Sequence, residues 1–244
     1  MSNKTLIFIP TYNESENIEK IFLEIKSLSL PVDILFLDDN SPDGTGDLID
    51  KIISTNKNVF SIHRKGKLGI GSAHKDGIRW AYDHSYDVLI TMDCDFTHSP
   101  EYILDFIKYS SNYDIVIGSR YLEKDSLKSW NLFRKSLTHL GHFLTTTFLE
   151  MPFDSSGAFR LYNLNRIPKG VFELIKSNSY SFFFESLFIL NINKYTIYEF
   201  PIHLPSRTYG SSKMTIKDAF GSLKYLASIY RQKILNKNKF IYKD

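Results

Sequence analysis

The feature that most constrains this chain is an alternation running through its first 120 residues. Short apolar runs, Thr5–Pro10, Ile34–Asp38, Val59–His63, Val88–Asp93 and Asp114–Ser119, are separated by amphipathic segments at Glu16–Ser27, Thr45–Ser54, Gly71–His84 and Pro100–Ser110. Brief β-branched runs read as buried strands, and the longer segments carry helical periodicity. Ser99-Pro100-Glu101 looks like a helix start, with an N-cap followed by proline at the first helical position. Strands alternating with helices predict an α/β chain whose central sheet is mostly parallel and flanked by helices. Ligands bind such sheets beyond the carboxyl ends of the strands, so polar clusters at those ends are the first candidates for a site.

Beyond Arg120 the pattern changes. A helix is predicted over Asn131–Glu150, with Phe133, Leu137, Leu140, Leu144 and Phe148 at its apolar positions and Arg134, Lys135, His139 and His142 between them. A strand-like piece, Phe153–Tyr162, precedes helical patterns near Arg166–Lys176 and Phe182–Asn193 and a strand at Thr196–Pro201. The last helix, Thr215–Asn236, sets Ile216, Phe220, Leu223, Ala227, Tyr230 and Ile234 on one stripe. From Lys213 to Lys239 seven basic residues oppose Asp218 alone. A basic amphipathic helix of this kind binds anionic interfaces; the pattern equally allows the stripe to pack on the rest of the chain with its lysines solvated. No repeat, low-complexity tract or linker is present, so the expected organisation is one domain over 1–213 followed by a helix and tail at 214–244.

The net charge of +3 hides an asymmetry, since residues 1–119 sum to −7 and residues 120–244 to +10. An acidic half suits a metal ion or sugar hydroxyls, and a basic half suits phosphate or an anionic membrane. The one cysteine, Cys94, excludes a disulfide framework or a multi-cysteine zinc site and fits a reducing compartment. No stretch reaches the roughly 18 apolar residues of a membrane span, and Leu6–Ile9 after Met1–Lys4 is too short for a signal peptide. The expectation is a soluble or peripheral protein on the cytoplasmic face of a membrane, with no nucleic-acid partner.

Five clusters, most of them at strand ends, are the candidates for the chemistry. Met92-Asp93-Cys94-Asp95 ends a buried strand, where carboxylates at i and i+2 point to one side and can reach one hard cation, Mg²⁺ or Mn²⁺. Asp38-Asp39-Asn40-Ser41-Pro42-Asp43-Gly44-Thr45 also ends a strand; Ser-Pro-Asp-Gly is turn chemistry, but two adjacent carboxylates at a strand exit can also accept hydrogen bonds from ribose or a base edge. Pro10-Thr11-Tyr12-Asn13-Glu14 offers a ring for stacking and an acceptor. Lys65 and Lys67 precede Gly69-Ile70-Gly71-Ser72, which opens a helix and favours an anion; His74 stands where a dinucleotide fingerprint needs its third glycine. In the basic half, Arg120 ends Gly118-Ser119-Arg120, and Arg207-Thr208-Tyr209-Gly210-Ser211-Ser212-Lys213 adds a guanidinium fork and a point charge for phosphate.

In order, these pieces resemble the dolichol-phosphate mannose synthases and their prokaryotic polyprenyl-phosphate relatives within the family 2 glycosyltransferases. Besides those quoted, the matching segments are Lys-Leu-Gly-Ile-Gly-Ser-Ala, Asp-Cys-Asp-Phe-Thr-His-Ser-Pro, Gly-Ser-Arg-Tyr, Asp-Ser-Ser-Gly-Ala-Phe-Arg and Glu-Phe-Pro-Ile, spread over about residues 5–213. The resemblance implies a nucleotide-diphospho-sugar transferase (GT-A-like) fold over 1–213, a donor such as GDP-mannose, a polyprenyl phosphate acceptor, Mg²⁺ or Mn²⁺, inversion at the anomeric carbon, and a membrane surface or small membrane subunit as partner. By position it implies that Pro10, Tyr12, Glu14, Asp39, Lys67, Asp93, Cys94, Asp95, Arg207 and Lys213 line the donor site. It places Asp95 and Thr97 at the metal, and Arg120, Arg134 and Ser136 at the acceptor phosphate, with Asp95, Arg120, Arg207 and Lys213 nearest the chemistry. Thr97 departs from the family, where glutamine is the commoner ligand.

An acceptor phosphate needs no general base, because its second pKa is near 6. A sugar or protein hydroxyl needs one, for which Asp154 or Glu185 is available. A scaffold that binds nucleotide-sugar without turnover is the third reading.

Overall fold

The structure, a computed structural model, describes residues 3–123, 126–127, 132–205 and 215–243, with backbone alone at 132–134. Seven strands form one sheet in the order β3-β2-β1-β4-β6-β5-β7. In sequence they are β1 (Thr5–Thr11), β2 (Val32–Asp38), β3 (Val59–His63), β4 (Val88–Thr91), β5 (Ile115–Ser119), β6 (Arg160–Asn163) and β7 (Ile197–Pro201). Only β6 runs antiparallel, against both β4 and β5; the remaining pairs are parallel. The α/β expectation therefore holds, with one reversed strand near the middle.

Alternation along the strands divides the core in two. Leu6, Phe8, Leu35, Leu37, Leu89, Ile115 and Ile117 belong to one cluster; Ile7, Ile9, Ile34, Phe36, Val88, Ile90 and Val116 belong to the other. Both faces are apolar because helices cover both. The second cluster is closed by α1 (Ile18–Ser27), α2 (Thr45–Thr55) and α4 (Ile103–Tyr109), the last preceded by a 3-10 turn at Pro100–Tyr102. The first is closed by α3 (Ile70–Asp83), α5 (Leu132–Leu149), α6 (Lys169–Glu173), α7 (Phe182–Ile192) and α8 (Ile216–Leu235). Nine consecutive residues of α7, Phe182–Leu190, are buried, as expected of a helix apolar on every side. Each such apolar side chain contributes roughly 1.5–3 kcal/mol of transfer free energy.

Two differences from the sequence expectation concern strand ends, and α8 decides between the two orientations the sequence left open. Strand β4 stops at Thr91, so Asp93 and Asp95 lie in the following turn, where Phe96 takes φ 60°. Strand β6 begins at Arg160, and the preceding 153–159 is a loop held by the Asp154 carboxylate. Most informative is α8: its inward residues are Leu226 and Ile229, with Tyr225 and Tyr230 half-buried. Most of the predicted stripe faces outward, leaving Ile216 71%, Phe220 69% and Ile234 65% exposed, while Tyr230 on the same stripe packs against Phe148. No described helix is long and apolar enough to cross a membrane.

Candidate active site

Parallel pairing brings the carboxyl ends of β1 and β2 side by side, with Thr11 opposite Asp38 and Asp38 opposite His63 of β3. The turns that follow are stitched together. Asn13 N–H donates to Ser41 Oγ at 2.9 Å, Glu14 N–H to Thr45 Oγ1 at 2.9 Å, and Ser15 N–H to Asp43 Oδ2 at 3.1 Å. Asp38 builds its own turn, accepting from Ser41 N–H at 3.0 Å and from the Ser41 hydroxyl. Asp43 thus serves the Ser41–Gly44 turn, and so does Asp38, which turn chemistry did not account for in the sequence.

Asp39 differs. It is buried and paired with Arg64, itself buried. Burial raises the Asp39 carboxyl above its usual range, and Arg64 opposes the rise. Arg64 also donates from Nη1 to Ser72 Oγ at 2.7 Å and pairs with Asp76 at 3.3 Å. It thus ties the β2 end to the first turns of α3. Sequence reasoning missed Arg64, although a cation directly after strand Val59–His63 was the available signal. Beside this wall Lys67 Nζ lies 4.3 Å over the Tyr12 ring; Pro10, Tyr12 and Glu14 are half-buried.

After β4, Thr97 donates to Asp95 Oδ1 from both its backbone N–H (3.2 Å) and its hydroxyl (2.6 Å). Asp95 and Thr97 are both buried, whereas the Asp93 side chain is 36% exposed. These are hard oxygen donors suited to Mg²⁺ or Mn²⁺. Among the described residues no group of three or more His, Cys, Asp or Glu side chains could hold a metal ion, so an ion here needs further oxygens from a substrate or water. Cys94 is buried in the apolar core. His98, another residue to which sequence reasoning gave no role, accepts the Asp93 N–H at Nδ1 (2.9 Å) and stacks on Phe159. Burial lowers its pKa, while Asp93 and Asp95 oppose that and Arg120 reinforces it.

Arg120, just past β5, does not project as an isolated cation. Its Nε donates to Asp154 Oδ2 at 2.7 Å, its Nη2 to Asp154 Oδ1 and to Ser156 Oγ, and its backbone N–H to Asp154 Oδ2 at 3.0 Å. Asp154 is fully buried; burial pushes its carboxyl up, but the Arg120 guanidinium more than reverses this and leaves it below the usual range. Asp154 N–H donates to Glu199 Oε1 at 2.7 Å, and burial raises Glu199. Tyr121 stacks on His142 of α5 with centroids 4.0 Å apart and donates to Thr138 O at 3.1 Å, so the Arg120 cluster also seats α5. Ser136 is exposed on that helix. The Arg134 side chain, Arg207 and Lys213 lie outside the described residues.

Residues 6–181 match the glycosyl transferase family 2 model. The chain is 32% identical over 213 residues to an undecaprenyl-phosphate mannosyltransferase of Micrococcus luteus, covering 87% of this chain and 88% of that protein. It is also 32% identical over 219 residues to a polyprenol monophosphomannose synthase of Mycolicibacterium smegmatis, covering 88% and 82%. Among solved structures, it is similar to glucosyl-3-phosphoglycerate synthase of Mycobacterium tuberculosis in complex with Mn²⁺ and UDP-glucose (TM-score 0.57, 17% identity, 99% of this chain and 81% of that one). It is likewise similar to a mannosyltransferase of Pyrobaculum calidifontis in complex with GDP-mannose and Mn²⁺ (TM-score 0.53, 14% identity, 86% and 59%). The fold is that of the GT-A nucleotide-sugar transferases, and the chain belongs to glycosyltransferase family 2.

Proposed function

We propose that this chain is an inverting transferase that moves a sugar, mannose from GDP-mannose, onto a polyprenyl phosphate. The observation that carries the reading is the state of the two carboxylates available as bases. Asp154 is locked by Arg120 with its pKa lowered, and Glu185 is buried, accepting from Lys176 N–H, Ser177 N–H and the Tyr225 hydroxyl. Neither is placed to take a proton from an alcohol. An acceptor phosphate needs no such base, being largely ionised at neutral pH. The names of the two relatives at 32% identity point to the same acceptor class.

In this reading the nucleoside lies against Pro10, Tyr12, Glu14 and Asp39, with Lys67 and the Asp93–Asp95 turn beside the diphosphate. Asp95 and Thr97, with Asp93, would hold a Mg²⁺ or Mn²⁺ ion. The chemistry such an ion supplies is neutralisation of charge on the departing nucleoside diphosphate. An acceptor phosphate oxygen forms the new bond to the anomeric carbon from the face opposite the diphosphate, whose bridging oxygen leaves with the bonding pair. The protein's task is alignment and preorganised charge. Because Asp154 neutralises Arg120, this arginine offers oriented N–H groups rather than net charge. The positive charge for the acceptor phosphate then falls to Arg134, Arg207 and Lys213, with Ser136 adding a hydroxyl.

The lipid also explains the outward stripe of α8. Leu137, Leu140 and Phe143 of neighbouring α5 are exposed as well, and Phe148 of α5 meets Tyr230 of α8. Apolar surface flanked by Lys217, Lys224 and Arg231 suits the interface of an anionic bilayer. The division of labour we propose is catalysis by 1–213 and peripheral docking by 214–244, on the cytoplasmic face of a membrane.

The test is a transfer assay read by mass spectrometry, with GDP-mannose, UDP-glucose and other donors against short polyprenyl phosphates and their alcohols. Product from a phosphate, with a rate that rises to a plateau above pH of about 6, is expected. Product from an alcohol alone would move the assignment to the hydroxyl-acceptor class, and binding without turnover of any kind to a scaffold.

A further inference from the structure

The proposed chemistry leaves Glu185 without a task, yet it is 2% exposed and held by three donors. Oε1 accepts from Lys176 N–H at 3.1 Å and the Tyr225 hydroxyl at 2.8 Å; Oε2 accepts from Ser177 N–H at 2.8 Å. Tyr225 belongs to α8, so one carboxylate secures both the loop 176–179 and the C-terminal helix. Burial, reinforced by Glu185, raises the Tyr225 phenol, which keeps its proton and donates.

That loop supports the start of α3. Asn178 O accepts Ser72 N–H at 3.2 Å. A Cβ at Gly69, where φ is +97°, would lie 2.3 Å from Asn178 O, and one at Gly71 would lie 2.7 Å from Ser179 O and from Phe182 Cβ. The two glycines are required because the backbone of the loop presses directly on the turn. Ser72 in turn accepts from Arg64, the partner of Asp39. At its other end α8 starts with a capping box, in which Asp218 accepts from Thr215 N–H at 2.8 Å. The Asp218 carboxyl is lowered by its hydrogen bonds from Thr215. Through Tyr225, Glu185 and the loop 176–179, helix α8 is thus linked to the Arg64–Asp39 pair.

We infer that Glu185 is a positioning residue for the nucleotide pocket: by holding loop 176–179 it sets the Gly69–Ser72 turn and the Arg64–Asp39 pair, and through Tyr225 it makes that setting depend on the seating of α8. The inference rests on the donor reading above. Glu185 does not touch the substrate and acts through others.

The test uses the full chain and calorimetric binding of GDP and of UDP, each with Mn²⁺, alongside Tm and transfer kinetics. Tyr225→Phe removes only the link to α8, and about threefold weaker nucleotide binding is expected, the scale of one modest hydrogen bond. Glu185→Gln also turns an acceptor into a donor toward a backbone N–H, and about tenfold is expected in nucleotide Kd and donor KM, with kcat changed less than twofold. Ile189→Val, a buried change elsewhere on α7, is the control: it should lower Tm and leave affinity untouched. If both variants lose Tm but bind nucleotide like wild type, Glu185 is structural only and the inference fails alone. If the wild-type chain binds neither nucleotide, the donor reading falls and takes the inference with it.

Discussion

Two clusters at one edge of the sheet handle buried charge in different ways. Between β1, β2 and β4, the Asp38 and Asp95 carboxylates are satisfied mainly by hydroxyls and backbone N–H groups of their own short turns. Beyond β5, Asp154 is satisfied by a guanidinium from the other side of a 34-residue excursion. The first arrangement leaves a carboxylate local and replaceable, because its loss disturbs one turn. The second joins distant segments through a buried ion pair, whose broken half stays behind as an unpaired charge. Asp95, the proposed metal ligand, is of the first type; Asp39, paired with the buried Arg64, and Asp154 are of the second.

Mutations separate the two kinds. Asp95→Ala should cut transfer roughly a thousandfold, the loss of several kcal/mol of charge stabilisation at the leaving group, with Tm nearly unchanged. EDTA should do the same to the wild type, and activity that survives EDTA would end the metal assignment. Asp154→Ala should instead cost about 3–5 kcal/mol of stability by stranding Arg120, seen as a fall in Cm on urea unfolding. An Asp154→Ala chain as stable as wild type would place the two clusters in one class.

A third measurement probes a buried group that is held uncharged. His74 of α3 is fully buried between Phe8, Phe182 and Phe183, and neither ring nitrogen has a protein partner. Burial, with Arg160 nearby, pushes its pKa down to about 3. Between that value and the ordinary 6.5 the unfolded chain binds a proton that the native chain refuses. His74 therefore removes about 1.4 kcal/mol of stability for each pH unit as pH falls below 6.5. His74→Phe should flatten the profile from pH 6.5 to 5, and an unchanged slope would show that the acid sensitivity lies elsewhere. The smallest effect is expected at the surface: Phe220→Ser should move Tm by less than about 0.5 kcal/mol equivalent yet reduce co-sedimentation with anionic vesicles. Unreduced binding would place the lipid contact away from α8.

The parallel half of the sheet was legible in the sequence because each strand there is a continuous apolar run bounded by turn residues. Strand β6 was harder: the apolar and polar residues of 153–163 do not distinguish a strand from the loop before it, and its reversed direction follows from pairing with both β4 and β5. The stripe on α8 was read correctly as a pattern, but periodicity gives a face and not its orientation. Leu226 and Ile229, which pack inward, lie off the stripe entirely. At the site, Asp39, Asp93 and Asp95 stood out because acidic residues at strand ends are visible in one dimension. Arg64 and the Arg120–Asp154 pair were not, since their partners lie 25 and 34 residues away and no local spacing encodes them.

The reversed strand has a consequence for how such a protein can diversify. The chain leaves the sheet after Ser119 and returns at Arg160 in the adjacent strand, where Ile117 faces Arg160 and Gly118 N–H donates to Phe159 O at 3.1 Å. Departure and return are hydrogen-bonded neighbours, so the segment between them is closed at its base, while Leu127, Leu149 and Met151 pack into the two core clusters and Asp154 N–H reaches Glu199 of β7. The entropy of closing such a loop grows only slowly with its length, and insertions or exchanges within it leave the strand register intact. The crossovers from β1 to β2 and from β2 to β3 lack that freedom, because each must carry a helix across a face of the sheet to a parallel partner. If the excursion carries the proposed acceptor side, a relative's segment grafted between Ser119 and Arg160 that keeps those core residues would change the acceptor while leaving the nucleotide-binding frame in place.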